Sequence, residues 1–171
     1  MYDDLDREYQ DSYQQGDPMT QEQYEDAKQE IHWDVVWQVF DEVNDAKDTE
    51  RYIDLHCQPI DDAIAICKQK IFDLAEIAKA EYPPQDFVFA ILTSHEHLMS
   101  ADRGGPLKNV IHGMIKHEMQ LDNYHLPQQR TILVRITPDT HENPVLKEWW
   151  ACAHTCPIRK LMISINEVKI I

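Results

Sequence analysis

Two stretches decide the fold: Arg51–His56, which reads Arg-Tyr-Ile-Asp-Leu-His, and Phe87–Leu92, which reads Phe-Val-Phe-Ala-Ile-Leu. Both have the composition of β-strands, and the unbroken apolar run of the second predicts a strand covered on both faces. Between them, Pro59, Asp61 and Asp62 begin a helix, because proline and acidic residues suit a first helical turn. A strand, a helix and a strand in this order predict a parallel pair joined by a right-handed crossover.

Beyond this unit the chain adds a second helix and further strands. Apolar residues at helical spacing from Leu107 to Leu121 predict the helix, which begins near Gly104-Gly105-Pro106. Thr131–Thr137 predicts another strand. We therefore expect an α/β fold, a small two-layer sandwich with a mixed, mostly parallel sheet of about four or five strands and the order βαβαββ. A short helix around Pro144–Ala153 and a strand candidate at Lys160–Ile165 follow.

The chain divides by composition into four parts. Residues 1–18 are acidic and nearly without aliphatic side chains, which predicts a disordered tail. Residues 19–50 contain an amphipathic N-terminal helix, opened by a capping-box pattern, whose wide apolar face suits either the domain or a protein partner. Residues 51–137 form the compact domain, and residues 138–171 form a C-terminal extension that packs on it.

The net charge of −15 is unevenly distributed. Residues 1–50 hold 16 acidic and 3 basic side chains, so residues 51–171, with 15 acidic and 13 basic, are close to neutral. Eight of the nine histidines also follow residue 50, so a modest drop in pH makes this region positive. The balance excludes a strongly basic groove of the kind that binds nucleic acid tightly by phosphate contacts alone.

The sequence predicts a cytoplasmic protein without a membrane span, a metal or another cofactor. No apolar run of about 18 residues is present, and the N-terminus is too acidic for a targeting segment, so we expect reduced cysteines. Cys152, His154 and Cys156 offer metal donors, but a structural zinc site needs four ligands and the usual paired cysteine spacings are absent.

The first candidate group for chemistry is the pair Asp54 and His56 at the end of the first strand. Alternate residues of a strand share a face, so the carboxylate and the imidazole are expected to lie close together. A carboxylate beside a histidine orients the ring and raises its basicity, as general acid/base catalysis requires. A structural histidine, satisfied by a hydrogen bond at the strand end, fits the same spacing equally well.

The second group is the loop that follows the buried strand. Ligands in such sheets bind beyond the carboxyl ends of the strands, which places this loop beside the first group. The loop is rich in hydroxyl and imidazole groups, and Arg103 and Lys108 add cations near the start of the next helix. We expect substrate contacts from Thr93, Ser94, Arg103 and Lys108, and a further titratable group from His95 or His97.

Four ordered segments, in a region that makes up about half of the chain, resemble the Smr (small MutS-related) domain. That family has Asp-Leu-His-Gly at a strand end, an acidic residue before alanine at a helix start, a Thr-Gly-x-Gly-x-His loop, and Leu-Lys or Ile-Lys at a second helix start. The matching segments are Tyr52-Ile53-Asp54-Leu55-His56-Cys57, Ile60-Asp61-Asp62-Ala63, Ile91-Leu92-Thr93 with its His-bearing loop, and Gly105-Pro106-Leu107-Lys108-Asn109-Val110.

The resemblance implies a metal-independent endonuclease that cuts RNA or nicks DNA, within a larger complex such as a stalled ribosome in the case of eukaryotic members. Asp54 and His56 match the catalytic Asp-x-His of the family. In that scheme His56 is the general base and Asp54 orients it, His95 or His97 protonates the leaving oxygen, and Lys108 stabilises the charge on the phosphorus centre.

Two departures from the family pattern support an alternative function. Cys57 stands where the family has glycine, and Ser94-His95-Glu96 stands where it has Gly-x-Gly. Glycines in such loops let the backbone approach a phosphate, and a glutamate there repels it. The alternative is a catalytically inactive Smr-derived module that binds nucleic acid, or that binds a protein through its acidic N-terminal tail and helix.

Overall fold

The structure is a computed structural model, and it describes residues 2–15, 18–45, 51–93, 105–126 and 130–155. The chain forms two compact units, one of residues 1–38 with 150–171 and the other of residues 39–149. In chain order the elements are α1 (Tyr2–Gln15), α2 (Gln21–Asn44), β1 (Tyr52–Asp54), α3 (Ile60–Ala80), β2 (Phe87–Leu92), α4 (Pro106–Gly113), a π-helical turn (Met114–Glu118), β3 (Asn123–Leu126), β4 (Thr131–Ile136), a 3-10 turn (Pro138–Glu142) and α5 (Pro144–Thr155).

The strands form one four-stranded mixed sheet in the order β1-β2-β4-β3. β1 pairs with β2 in parallel across α3, as predicted, whereas β2–β4 and β4–β3 are antiparallel. The α/β class and the order βαβαββ are therefore confirmed. The sheet is less parallel than expected, because β3 and β4 are joined by a short connection that reverses the chain before β4 pairs with β2.

One face of the sheet carries the core of the larger unit. Residues paired across the strands on this face are fully buried, and α3, which contacts both β4 and α4, adds its own buried side. The opposite face is open in part, since Val88 and Tyr124 are 59% and 65% exposed. The sheet side chains of the core face are Ile53, Phe89, Ile91, Ile132, Val134 and Ile136.

Among the described residues, the outer edge of β1 is covered by a side chain. Asn44, at the end of α2, is only 1% exposed. Its amide oxygen accepts the backbone N–H of Asp54 at 2.8 Å, and its amide nitrogen donates to the backbone carbonyls of Asp54 at 3.1 Å and Phe40 at 2.8 Å. The amide thus satisfies the backbone donor and acceptor that an edge strand leaves unpaired at this position.

The N-terminal residues differ from the predicted disordered tail, because residues 2–15 form α1. The prediction counted aliphatic side chains and overlooked aromatic ones. The Tyr9 ring packs against those of Tyr13 and Tyr24, at centroid distances of 5.3 and 4.6 Å, and the Tyr24 hydroxyl donates to the Asp6 carboxylate at 2.5 Å. Leu5 of the same helix is buried. Burial of aromatic and aliphatic surface offsets part of the entropy of ordering.

The other helix predictions agree closely with the structure. The Thr20–Gln23 capping box is formed in both directions, with hydrogen bonds of 2.8 and 3.2 Å. The helix predicted from about Pro106 is α4 and the π-helical turn after it, and the predicted short C-terminal helix is α5. The strand candidate at Lys160–Ile165 lies outside the described residues. None of the helices in the described ranges is both long and apolar enough to cross a membrane.

Replacing Asn44 by alanine tests how far the edge of β1 depends on this amide. The change removes the two Asn44 hydrogen bonds from the buried backbone of Asp54, and each bond lost in a buried place costs about 1–3 kcal/mol. We expect Asn44→Ala to lower the free energy of unfolding by about 2–4 kcal/mol in urea denaturation. Gln85→Ala, which removes an exposed amide, is the control and should change it little. A loss no larger than that of the control would contradict this role.

The buried thiol of Cys67 gives a second test of the core. Burial raises the pKa of Cys67 to about 12, so its thiolate, the reactive form, is nearly absent at pH 8 in the folded protein. In a chain with Cys57, Cys152 and Cys156 changed to serine, Cys67 should react with a chromogenic disulfide only after unfolding. A chain that keeps exposed Cys57 alone should react at once. Fast labelling of Cys67 in the native protein would show that α3 is not packed as described.

Candidate functional site

The Asp54–His56 pair is formed, and a turn brings its two side chains together. The Asp54 carboxylate is 0% exposed and the His56 side chain is 16% exposed. One carboxylate oxygen, Oδ1, lies 2.6 Å from His56 Nδ1 and accepts the backbone N–H of His56 at 3.1 Å. The second bond makes an Asx-turn, so His56 approaches Asp54 through the turn rather than as the next residue on one strand face.

This geometry fixes the proton of the imidazole. An ionised carboxylate only accepts hydrogen bonds, so His56 Nδ1 is the protonated nitrogen and Nε2 carries the lone pair in the neutral ring. A buried carboxylate in this position also stabilises the imidazolium that forms when Nε2 takes up a proton. The pair therefore has the arrangement of a general base with its orienting carboxylate.

The backbone that carries the pair is held on both sides. On the inner side, Leu55, which is fully buried, donates its N–H to Leu92 O at 2.9 Å, and on the outer side the Asn44 amide bonds to Asp54. The Leu55 carbonyl then accepts the Gln58 N–H at 3.1 Å and closes the turn. The position of the carboxylate is thus set by hydrogen bonds in three directions, which is the preorganisation that a catalytic group needs.

Thr93 follows β2, at the end of the sheet that bears the Asp54–His56 pair, but its hydroxyl is hydrogen-bonded to the protein backbone. Thr93 is buried, and both its backbone N–H and its hydroxyl donate to Arg130 O, at 3.3 and 3.2 Å. Arg130 has a left-handed backbone with φ of 50° and precedes β4, whose first residue pairs with Leu92. Thr93 therefore links the end of β2 to the residue before β4, and its predicted substrate contact stays a prediction. Arg130 is a half-buried cation at this end of the sheet that the sequence pattern did not reveal.

The predicted loop residues Ser94, His95, His97 and Arg103 lie outside the described residues. Their predicted roles, including that of the second titratable group, stay predictions. Asp54, His56 and Thr93 are the site residues that the structure brings to one edge, through the parallel register that pairs Asp54 with Leu92.

Lys108 lies on the other flank of the sheet, in the first turn of α4. Its charge acts on His125 of β3, and burial, Lys108 and His112, in that order, lower the pKa of His125. The rings of His112 and His125 are 5.8 Å apart, and His112 Nε2 lies 3.1 Å from Asn123 Oδ1. Of the predicted contacts in the described ranges, Lys108 thus lies beside β3, three strands away from β1, which bears the Asp54–His56 pair.

Metal donors do not converge in the part of the chain that the structure describes. Within those ranges, no three His, Cys, Asp or Glu side chains are grouped as metal ligands would be. Cys152 is an exposed free thiol, whereas Cys156 and the side chain of His154 fall outside the described part.

Comparisons with protein-family models, with curated proteins and with solved structures found no match. The relation to the Smr domain therefore rests on the ordered sequence segments alone.

The protonation state of His56 can be measured without any substrate. In nitrogen-15 spectra of the imidazoles, we expect neutral His56 to carry its proton on Nδ1, because Asp54 accepts from that nitrogen. Asp54→Ala removes the acceptor and should shift His56 toward the other tautomer, while His141, whose Nδ1 lies 2.6 Å from Pro138 O, should not change. A His56 tautomer that is the same in both proteins would contradict the described pair.

Proposed function

We propose that this chain is an Smr-type endonuclease that cleaves RNA by metal-independent general acid/base catalysis. One observation carries the proposal: the fully buried carboxylate of Asp54 lies 2.6 Å from His56 Nδ1 at the carboxyl end of β1. The place of this pair in the four ordered Smr-like segments supports the choice of a phosphodiester as substrate.

His56 is the general base of the proposed reaction. Its Nε2 takes the proton from a ribose 2′-hydroxyl or from water, and the resulting oxygen nucleophile attacks phosphorus while the bond to the 5′-oxygen breaks. Asp54 holds the ring in the required tautomer and stabilises the imidazolium. With the 2′-hydroxyl as nucleophile, the products are a 2′,3′-cyclic phosphate and a 5′-hydroxyl end.

The leaving 5′-oxygen requires a proton from a second group. His95 and His97, in the loop after Thr93, are the proposed donors. A histidine suits this role because the pKa of a free imidazole lies near neutrality. DNA lacks the 2′-hydroxyl, so any nicking of DNA requires water as the nucleophile and would be slower in this scheme.

The net charge of the chain indicates how it would reach its RNA substrate. A net charge of −15 gives little free affinity for a polyanion, so we propose that a larger cytoplasmic assembly such as the ribosome presents the RNA. Helix α1 carries five acidic residues and one arginine among its 14 residues, which suits contact with a basic protein surface. The acidic helix then contributes to docking rather than to RNA binding.

A cleavage assay with matched histidine variants tests the proposal. Single-stranded and hairpin RNAs, and DNA of the same sequence, are incubated with the full chain in the presence of EDTA. We expect cleavage of RNA, a loss of about 10²–10⁴-fold in His56→Ala, and a clear loss in Asp54→Asn. His117→Ala removes an exposed imidazole of the π-helical turn and should leave the rate unchanged.

Two results would contradict the proposal in different ways. Equal cleavage by the parent chain and His56→Ala would mean that the Asp54–His56 pair is not the catalytic site. Binding of RNA or of a ribosomal protein without any cleavage would instead favour the inactive binding module, to which the replacement of the family glycine by Cys57 points.

A further inference from the structure

The two main helices of the larger unit have opposite charges at their N-termini. The first turn of α3 holds Asp61 and Asp62, which complement the positive end of the helix dipole. The first turn of α4 holds no acidic residue and contains Lys108. A cation at this end disfavours the helix, so this arrangement is not explained by stability.

Lys108 belongs to a cluster of three basic side chains on α4 and β3. The cluster consists of Lys108, His112 and His125, all of them half-buried, with the two imidazole rings 5.8 Å apart. Lys108 and His112 are the charged or titratable groups that act on His125, and both disfavour its protonation. Across the described residues, no carboxylate forms an ion pair with any of the three. Within the described ranges, these basic groups therefore have no carboxylate as a counter-charge.

Asn123 orients the His112 ring by a hydrogen bond, whereas one nitrogen of the His125 ring has no hydrogen-bond partner among the described residues. Asn123 Nδ2 donates to Leu121 O at 2.8 Å, so its Oδ1 faces His112 and accepts from His112 Nε2 at 3.1 Å. His112 Nδ1 is therefore the nitrogen that gains a proton when this ring becomes charged. His125 Nε2 is buried and has no hydrogen-bond partner among the described residues, a state that costs free energy until an acceptor or donor reaches it.

The cluster lies at the same end of the strands as the Asp54–His56 pair, the end at which β1 and β2 finish. Register aligns Asp54 with Leu92, Leu92 with Thr131, and Thr131 with Leu126, the residue after His125. Three strand spacings of about 4.8 Å separate β1 from β3, so the strands that lead to the two groups lie roughly 14 Å apart.

We propose that Lys108, His112 and His125 form a binding site for a phosphate of RNA, a few nucleotides from the phosphate that is cleaved. The ammonium of Lys108 supplies the charge, and His112, held by Asn123, becomes a charged donor beside the phosphate. The identity of the ligand as RNA rests on the proposed function, whereas the affinity of the cluster for an anion does not. The phosphate also supplies the counter-charge that the first turn of α4 lacks.

Binding is measured in a His56→Ala background, in which the RNA stays intact, by fluorescence anisotropy with a 12-nucleotide single strand. We expect Lys108→Ala to weaken binding about tenfold and to reduce the slope of log affinity against log salt by about 0.7. Lys116→Ala, an exposed lysine on the following turn, is the matched control. Equal affinities and salt slopes for the two lysine variants would overturn the site.

The histidines are tested by substitution. The double change His112→Gln with His125→Gln should weaken binding several-fold, because it removes both imidazole donors from the site. An affinity that the double change leaves unaltered would overturn the role of the two histidines. Thermal melts of each variant establish that the fold is kept.

A titration with inorganic phosphate alone distinguishes a site for free phosphate from a site for the phosphate of RNA. Shifts of the His112 and His125 resonances with both phosphate and RNA support the site, whereas shifts with phosphate but not RNA would overturn its assignment to RNA. Weakened binding in Lys108→Ala together with no cleavage by the parent chain would support this site while contradicting the proposed nuclease.

Discussion

The parallel pairing of β1 with β2 is the constraint on which the rest of the larger unit depends. It sets Asp54 opposite Leu92, and it therefore places the residues after β1 and the residues after β2 at one edge of the sheet. On the other side of β1, the Asn44 amide forms hydrogen bonds with the backbone of Asp54. Because the strand is fixed from both sides, the short turn that follows can place His56 against a carboxylate that is fully withdrawn from water.

Much of this arrangement was predictable from sequence, because it depends on local patterns. The unbroken apolar run of β2 and the proline and acids before α3 identified the parallel pair, and the spacing of Asp54 and His56 identified the site. Two elements, β3 and α1, have weaker signals in the sequence. β3 is short, with the polar sequence Asn-Tyr-His-Leu, and forms a strand because β4 pairs with it. Helix α1 forms on a tyrosine cluster that a count of aliphatic residues does not detect.

The parts of the site that sequence reasoning missed depend on tertiary contacts. Asn44 and Asp54 are ten residues apart, and no local motif joins an amide at a helix end to an edge strand. Thr93 resembles a substrate contact in sequence, yet its hydroxyl is bonded to Arg130 O, 37 residues later. His125 gains its neighbours only when β3 lies beside α4. In each case the missing information is the partner, which the chain brings close only on folding.

Charge distribution links the two proposed sites. The acidic residues are concentrated in the N-terminal 50 residues, whereas residues 51–171, which contribute His56, Arg130 and His125, are close to neutral. The measurement that tests the central claim most directly is a crystal structure of the chain with a 2′-O-methyl RNA, which resists attack by its own sugar oxygen. The account predicts that the blocked 2′-oxygen or a water beside the phosphate lies within about 3 Å of His56 Nε2. RNA bound on another surface, with no phosphate near His56, would contradict it.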